Sequence, residues 1–126
     1  MKMALDGAPN ANLVRGYEPG RVQVRDREYT TSTIISASRI VENWPPRSIT
    51  ELRAKHLLAL TEDQPEVVIL GTGETQVFPE PAVFVTLIDL GVGCEVMDNS
   101  AACRTYNILM SEQRRVVAAL LMIEEE

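Results

Sequence analysis

The chain has 126 residues, 45% hydrophobic and 24% charged, which is the makeup of one ordinary globular domain able to bury its own core. Twelve basic against eighteen acidic side chains leave a formal net charge of −6, which argues against a nucleic-acid partner because a phosphate backbone is repelled on average. Cys94 and Cys103 lack C-x-x-C spacing, so unpaired thiols in a cytoplasmic protein are expected rather than a disulfide framework.

At the amino end Asp6 and Gly7 interrupt any apolar segment, so no secretory signal is expected, and residues 1–12 read as a loose lead-in. From Leu13 the pattern turns β-like. Residues 21–25 alternate polar and apolar, and Asp26-Arg27 is expected to turn the chain back into residues 28–30 as a hairpin. Arg15, Arg21, Arg25 and Arg27 interleave with Glu18, Asp26 and Glu28, the pattern of a solvated hairpin face. Residues 33–36 and 39–42 supply two more short extended runs. Trp44-Pro45-Pro46 then stops regular structure, since neither proline donates to a ladder and the first holds Trp44 extended.

Beyond the prolines the period changes. Ser48 or Thr50 is expected to cap a helix beginning near Glu51, with Leu52, His56, Leu57 and Leu60 on one stripe. Val67-Val68-Ile69-Leu70 is an apolar run of strand length without alternation, as in a strand covered on both faces. Pro81 suits the first turn of a helix over residues 81–90, which Gly91 ends. Thr86 and Asp89 break the apolar run there, far short of the ~20 residues of a membrane-spanning helix, so no membrane insertion is expected. Residues 92–96 form the next strand, Asp98 or Asn99 caps a third helix reaching about Met110, residues 115–122 form the last strand, and 123–126 are an acidic tail. The carboxyl half is therefore strand–helix–strand–helix–strand. Its first crossover is long enough for parallel neighbours, while periodicity leaves the direction of the last strand open.

Several of these elements together resemble the Mth938-domain family. They are Val-Ile-Leu-Gly-Thr-Gly (68–73), Phe78-Pro79, Gly-Val-Gly-Cys-Glu-Val-Met-Asp (91–98), Ala-Cys-Arg-Thr-Tyr-Asn (102–107) and the β region leading to Trp44-Pro45. The resemblance covers residues 13–122. It implies a single-domain, three-layer α/β fold with a central mixed sheet and an N-terminal β-hairpin region. One strand of that sheet runs against the rest, a role assigned here to the last strand. The resemblance carries no reaction, but it extends to a mitochondrial factor assisting respiratory complex I assembly and to a protein linked to adipogenesis.

Two apolar runs end abruptly, one in Gly71-Thr72-Gly73 and one in Asp98-Asn99. Ligands of open α/β sheets gather outside such strand ends, which makes these residues a candidate cleft. Gly71-Thr72-Gly73 reads as a tight turn, or as backbone N–H groups facing an anion, small ligand or partner. It is not a dinucleotide fingerprint, because Glu74-Thr75-Gln76 separate it from the next helix, and no Walker lysine follows. Asp98 and Asn99 read as helix caps, or as one cap and one side chain pointing into the cleft beside Thr72.

Cys103 lies on an apolar stripe with Ala102, Tyr106, Leu109 and Met110, as a small buried hydrophobe would. Its alternative role as a nucleophile needs a base, and the single histidine, His56, belongs to another helix. Tyr106 is expected to pack with its hydroxyl at a rim, and Asn107 to reach the Thr72 loop or a carbonyl. One histidine and two separated cysteines do not make a tetrahedral metal set, and no cofactor motif is present. The resulting expectation is a binding or assembly-assisting module acting through this cleft on a protein partner or small molecule. The alternative is a small enzyme using Cys103 or Asp98 on a metabolite. Self-association through an open edge of the N-terminal strands is a further expectation.

Overall fold

Side-chain alternation along the strands sorts the molecule into three layers. The computed structural model describes residues 10–122, so most of the lead-in (1–9) and the acidic tail (123–126) lie outside the described residues. Three strands, β1 (Val14–Glu18), β2 (Arg21–Val24) and β3 (Arg27–Tyr29), form an antiparallel meander. Pro19 and Gly20 make the first turn. Gly20 has φ +84°, the left-handed position that a Pro-Gly type II turn reserves for glycine. A hairpin joins β2 to β3 as expected, but its turn is Arg25-Asp26, one residue earlier than the expected Asp26-Arg27. Arg25 takes the left-handed φ of +56°, and Arg27 already pairs with Val24 as Val22 does with Tyr29.

The second sheet has the order β5-β4-β8-β6-β7, where β4 is Thr33–Ile35, β5 Ile40–Val41, β6 Val67–Gly71, β7 Gly93–Met97 and β8 Val116–Leu120. Strand β6 sits between β7 and β8 and is parallel to both. Strand β4 is antiparallel to its neighbours β5 and β8. The reversed strand is thus β4, which corrects its assignment to the last strand. The reason is the length of the connection. Helix α3 (Asn99–Ser111) has 13 residues, and at 1.5 Å each it returns the chain by about 20 Å, the length of a strand. The chain then re-enters the sheet in the direction of β7.

Val67 and Ile69 of β6 and Val116, Ala118 and Leu120 of β8 pack on one face of this sheet, with α3 and the meander's Val22, Val24 and Tyr29. Val68, Leu70, Val117 and Ala119 point to the other face, where Trp44, Leu52, Leu57, Leu60 and Leu87 cover them. All five residues of β6 are buried, as expected for a strand covered on both sides.

The covering helices are short. Residues Ile49–Glu51 make only a 3-10 turn, and helix α1 (Ala54–Leu58) starts later than expected, capped neither by Ser48 nor by Thr50. Their hydroxyls pair with each other at 2.9 Å. The Arg53 N–H instead donates to His56 Nδ1 at 2.9 Å, closing the first turn of α1. Pro81 opens a 3-10 turn (Pro81–Phe84) that runs into α2 (Val85–Asp89), and Gly91 at φ +75° ends it.

Candidate functional site

The carboxyl ends of β6 and β8 converge on one side chain. Asp98 and Asn99 begin α3, and they divide the work. The Asp98 carboxylate accepts from the Ala101 N–H at 2.8 Å and is the cap. That frees Asn99, which is wholly buried, to turn inward. Its Oδ1 accepts from the Gly73 N–H at 3.0 Å, and its Nδ2 donates to the Leu121 carbonyl at 3.0 Å and to the Tyr17 hydroxyl at 3.2 Å. One amide therefore ties the loop after β6, the end of β8 and the meander together.

This junction needs Gly71. A Cβ there would stand 2.3 Å from Asn99 Oδ1 and 2.8 Å from Leu120 Cδ2. Thr72 is also buried, and its hydroxyl staples the following loop by donating to the Thr75 carbonyl at 2.6 Å and accepting from the Val77 N–H at 3.1 Å. The Gly71-Thr72-Gly73 turn is thus internally satisfied, and Thr72 faces its own loop.

A cavity of about 490 Å³ opens above the junction. Pro19, Leu121 and Met122 supply apolar walls, Thr30 and Thr75 supply polar ones, and Asn99 lies at its base. At its side the Tyr17 hydroxyl donates to Glu74 at 2.5 Å. Burial, and then this bond to Glu74, raise the Tyr17 pKa above its ordinary value, so the phenol stays neutral. The chain Asn99–Tyr17–Glu74 is a fixed hydrogen-bonded wall suited to holding a group with an apolar body and a polar end.

Of the expected cleft residues, Gly73 and Asn99 line this cavity; Gly71, Thr72, Asp98, Cys103, Tyr106 and Asn107 do not. Cys103 is buried in the layer between sheet and α3, and burial pushes its thiol up to about 12. His56 meets Trp44 edge-on across 6.3 Å on the opposite face of the sheet, so no imidazole faces Cys103. Cys94 also belongs to that opposite face, and both thiols are free. The Tyr106 hydroxyl is not at a rim: it is buried and donates to the Asn12 carbonyl at 2.7 Å. Asn107 reaches a carbonyl away from the Thr72 loop, with its amide exchanging bonds with Val14 N and O at 2.9 and 2.8 Å. Among the described residues no three His, Cys, Asp or Glu side chains gather to hold a metal.

Sequence reasoning missed Tyr17, Pro19, Glu74, Leu121 and Met122. The Pro19-Gly20 pair was the available signal, since it predicts a tight turn that presents Tyr17. It also missed Asn12, placed with the lead-in. Asn12 is buried, its N–H donates to Ala37 O at 2.9 Å, and its side chain donates to Ser36 O and accepts from Arg25.

Known proteins resemble this chain throughout. A family described as "protein of unknown function (DUF498/DUF598)" matches residues 14–121. The "13 kDa major membrane protein" of Francisella tularensis subsp. holarctica is 29% identical over 106 residues, covering 83% of this chain and 86% of that one. The "NADH dehydrogenase (ubiquinone) 1 alpha subcomplex assembly factor 3" of Danio rerio is 42% identical over 65 residues. That match spans 52% of this chain and only 37% of the relative's length. A crystal structure from Bordetella parapertussis superimposes with a TM-score of 0.84 at 37% identity, covering 89% of this chain and 96% of that one. A Bordetella pertussis protein described as a Mth938-like domain gives 0.82 at 30% identity, covering 96% and 92%. Among the described residues no helix is long and apolar enough to cross a membrane.

Proposed function

The chain belongs to the DUF498/DUF598 family of proteins of unknown function, and from that premise we propose that it is a binding module assisting the assembly of another protein. The observation that carries this reading is how the polar groups of the junction beneath the cavity are used. Asn99, Thr72 and Asp98 all spend their hydrogen bonds on holding the fold. A catalytic group needs to be free to move a proton or attack, and Cys103, with its thiol near 12 and the imidazole on the opposite face of the sheet, is not poised to do so. What the cavity offers is shape: apolar walls and a rigid polar edge that would receive a partner's protruding side chain. Relatives named as assembly factors fit a protein partner. We place the protein in the cytoplasm, where two free thiols stay reduced.

The test is native mass spectrometry of the protein purified gently from its own cells, beside a Thr75→Trp variant that fills the cavity while leaving Asn99 in place. The wild type should retain a protein chain and the variant should lose it at unchanged melting temperature. A retained small molecule that the protein converts would overturn the binding reading. A partner held equally by both proteins would remove the cavity from it.

A further inference from the structure

Strand β7 is the edge of the central sheet next to β6. The Gly93 N–H donates to Glu66 O, and Met97 O accepts from the Thr72 N–H. Odd-numbered residues of β7 therefore face β6, and the main-chain groups of Cys94 and Val96 point outward. One of those outward groups, the Val96 carbonyl, takes the Gln76 side-chain amide at 2.8 Å. That bond lays the segment leading into Val77 and Phe78 beside the edge. Phe78 is 68% exposed, and Val85 and Ile88, one turn apart on α2, are 50% and 67% exposed. Apolar surface and a strand edge whose outward groups have no main-chain partner among the described residues thus occur together, sharing no residue with the cavity.

Charge states what would cover them. Residues 57–103 hold eight carboxylates and no lysine or arginine. Arg39 answers Glu62 and Asp63, and Arg114 answers Glu66. Among the described residues Glu80, Asp89 and Glu95 form no ion pair, and the nearest base in sequence, Arg104, turns to Ser100. Glu95 lies opposite Ile69 of β6, so its exposed side chain leaves the sheet on the α3 face, while Cys94 and Val96 lean on the other face. A second copy of the chain is a poor occupant. The antiparallel register that pairs all five residues of two β7 strands sets Glu95 against its own copy.

We propose that β7 is a docking edge for an extended, basic segment of a different protein, which adds to the sheet as a further strand. Its alternate residues are Lys or Arg on the Glu95 face and apolar on the face of Cys94, Val96 and the Val77–Phe78 segment. The incoming main chain takes over the Val96 carbonyl from Gln76.

The probe is a synthetic Lys-Val-Lys-Val-Lys-Val-Lys peptide, titrated into isotope-labelled full-length protein and followed by amide shifts and hydrogen exchange. Shifts should concentrate at residues 76–78 and 93–97, with the Cys94 and Val96 amides becoming protected. Glu95→Lys should weaken binding at least tenfold and transfer preference to the Glu-Val-Glu-Val-Glu-Val-Glu peptide. Gln76→Ala should leave the edge uncapped and bind more tightly. A Lys/Val peptide N-methylated at alternate amides, which leaves the protein untouched, should not bind. The proposal is overturned if the N-methylated peptide binds equally, if shifts map to Tyr17 and Glu74 instead, if Glu95→Lys has no effect, or if the Cys94 and Val96 amides are already protected in a dimer without peptide.

Discussion

Gly71→Ala is the smallest change that tests the junction beneath the cavity. Gly71 does not have a positive φ, so the substitution acts through space alone. The added methyl would lie 2.3 Å from Asn99 Oδ1, 2.8 Å from Leu120 Cδ2 and 3.3 Å from Ala102 Cβ. None of these three has room to withdraw, because all are fully buried. Overpacking of this kind costs about 1–3 kcal/mol. If the Asn99 amide swings away to relieve it, the Gly73 N–H and Leu121 carbonyl lose partners at 3.0 Å. Each such orphaned group costs about 1–3 kcal/mol. A destabilisation of about 3 kcal/mol, or roughly 10 °C in melting temperature for a domain of this size, is expected in urea and thermal unfolding. Asn99→Ala alone should cost about as much, by orphaning the same two groups. Because that variant also removes the closest clash, the double variant should be more stable than the sum of the two singles implies, by about 1 kcal/mol or more. A Gly71→Ala protein within about 0.5 kcal/mol of wild type, the range of uneventful surface changes, or a strictly additive cycle, would refute the reasoning.

The two thiols should label slowly with a thiol-specific reagent at neutral pH, since burial pushes both up to about 12. Against an unfolded control the rate should fall on the order of a thousandfold, and rapid labelling of Cys103 in the folded protein would reopen a nucleophilic role. His56 has its pKa lowered below the ordinary 6.5, first by burial and then by Lys55 and Arg53. The unfolded chain then binds the proton more readily, so this contribution is complete above pH 6.5 and is lost as pH falls through the folded value. Stability measured by urea unfolding should decline on acidification through that window, and His56→Gln should remove this part of the slope. Thr72→Val deletes the bonds to Thr75 O and from Val77 N, so it should cost about 1–3 kcal/mol and speed proteolysis within residues 74–78. Equal protease resistance would show that the loop holds itself without the hydroxyl.

Much of the fold was legible because its signals are local. The alternation over residues 21–25, the unbroken apolar run at 67–70, the Asp98 cap and the Cys103–Tyr106–Met110 stripe each follow from a period or a single hydrogen-bonding side chain. They appear as β2, β6 and α3. The ordered motifs of the carboxyl half also sufficed for the family and its three-layer architecture. Other features belong to no local window. The reversed strand is β4 because α3 spans the sheet before β8 begins, a matter of connection length and packing. Ser48 and Thr50 are competent caps that satisfy each other, so α1 starts elsewhere. The cavity joins Tyr17, Glu74, Asn99 and Leu121, residues far apart in sequence. Period and propensity report which way a side chain faces relative to its own backbone. Which distant backbone it meets is decided only when the layers close, and Asn99 shows this most plainly: an expected helix cap became the buried amide on which β6, β8 and the meander meet.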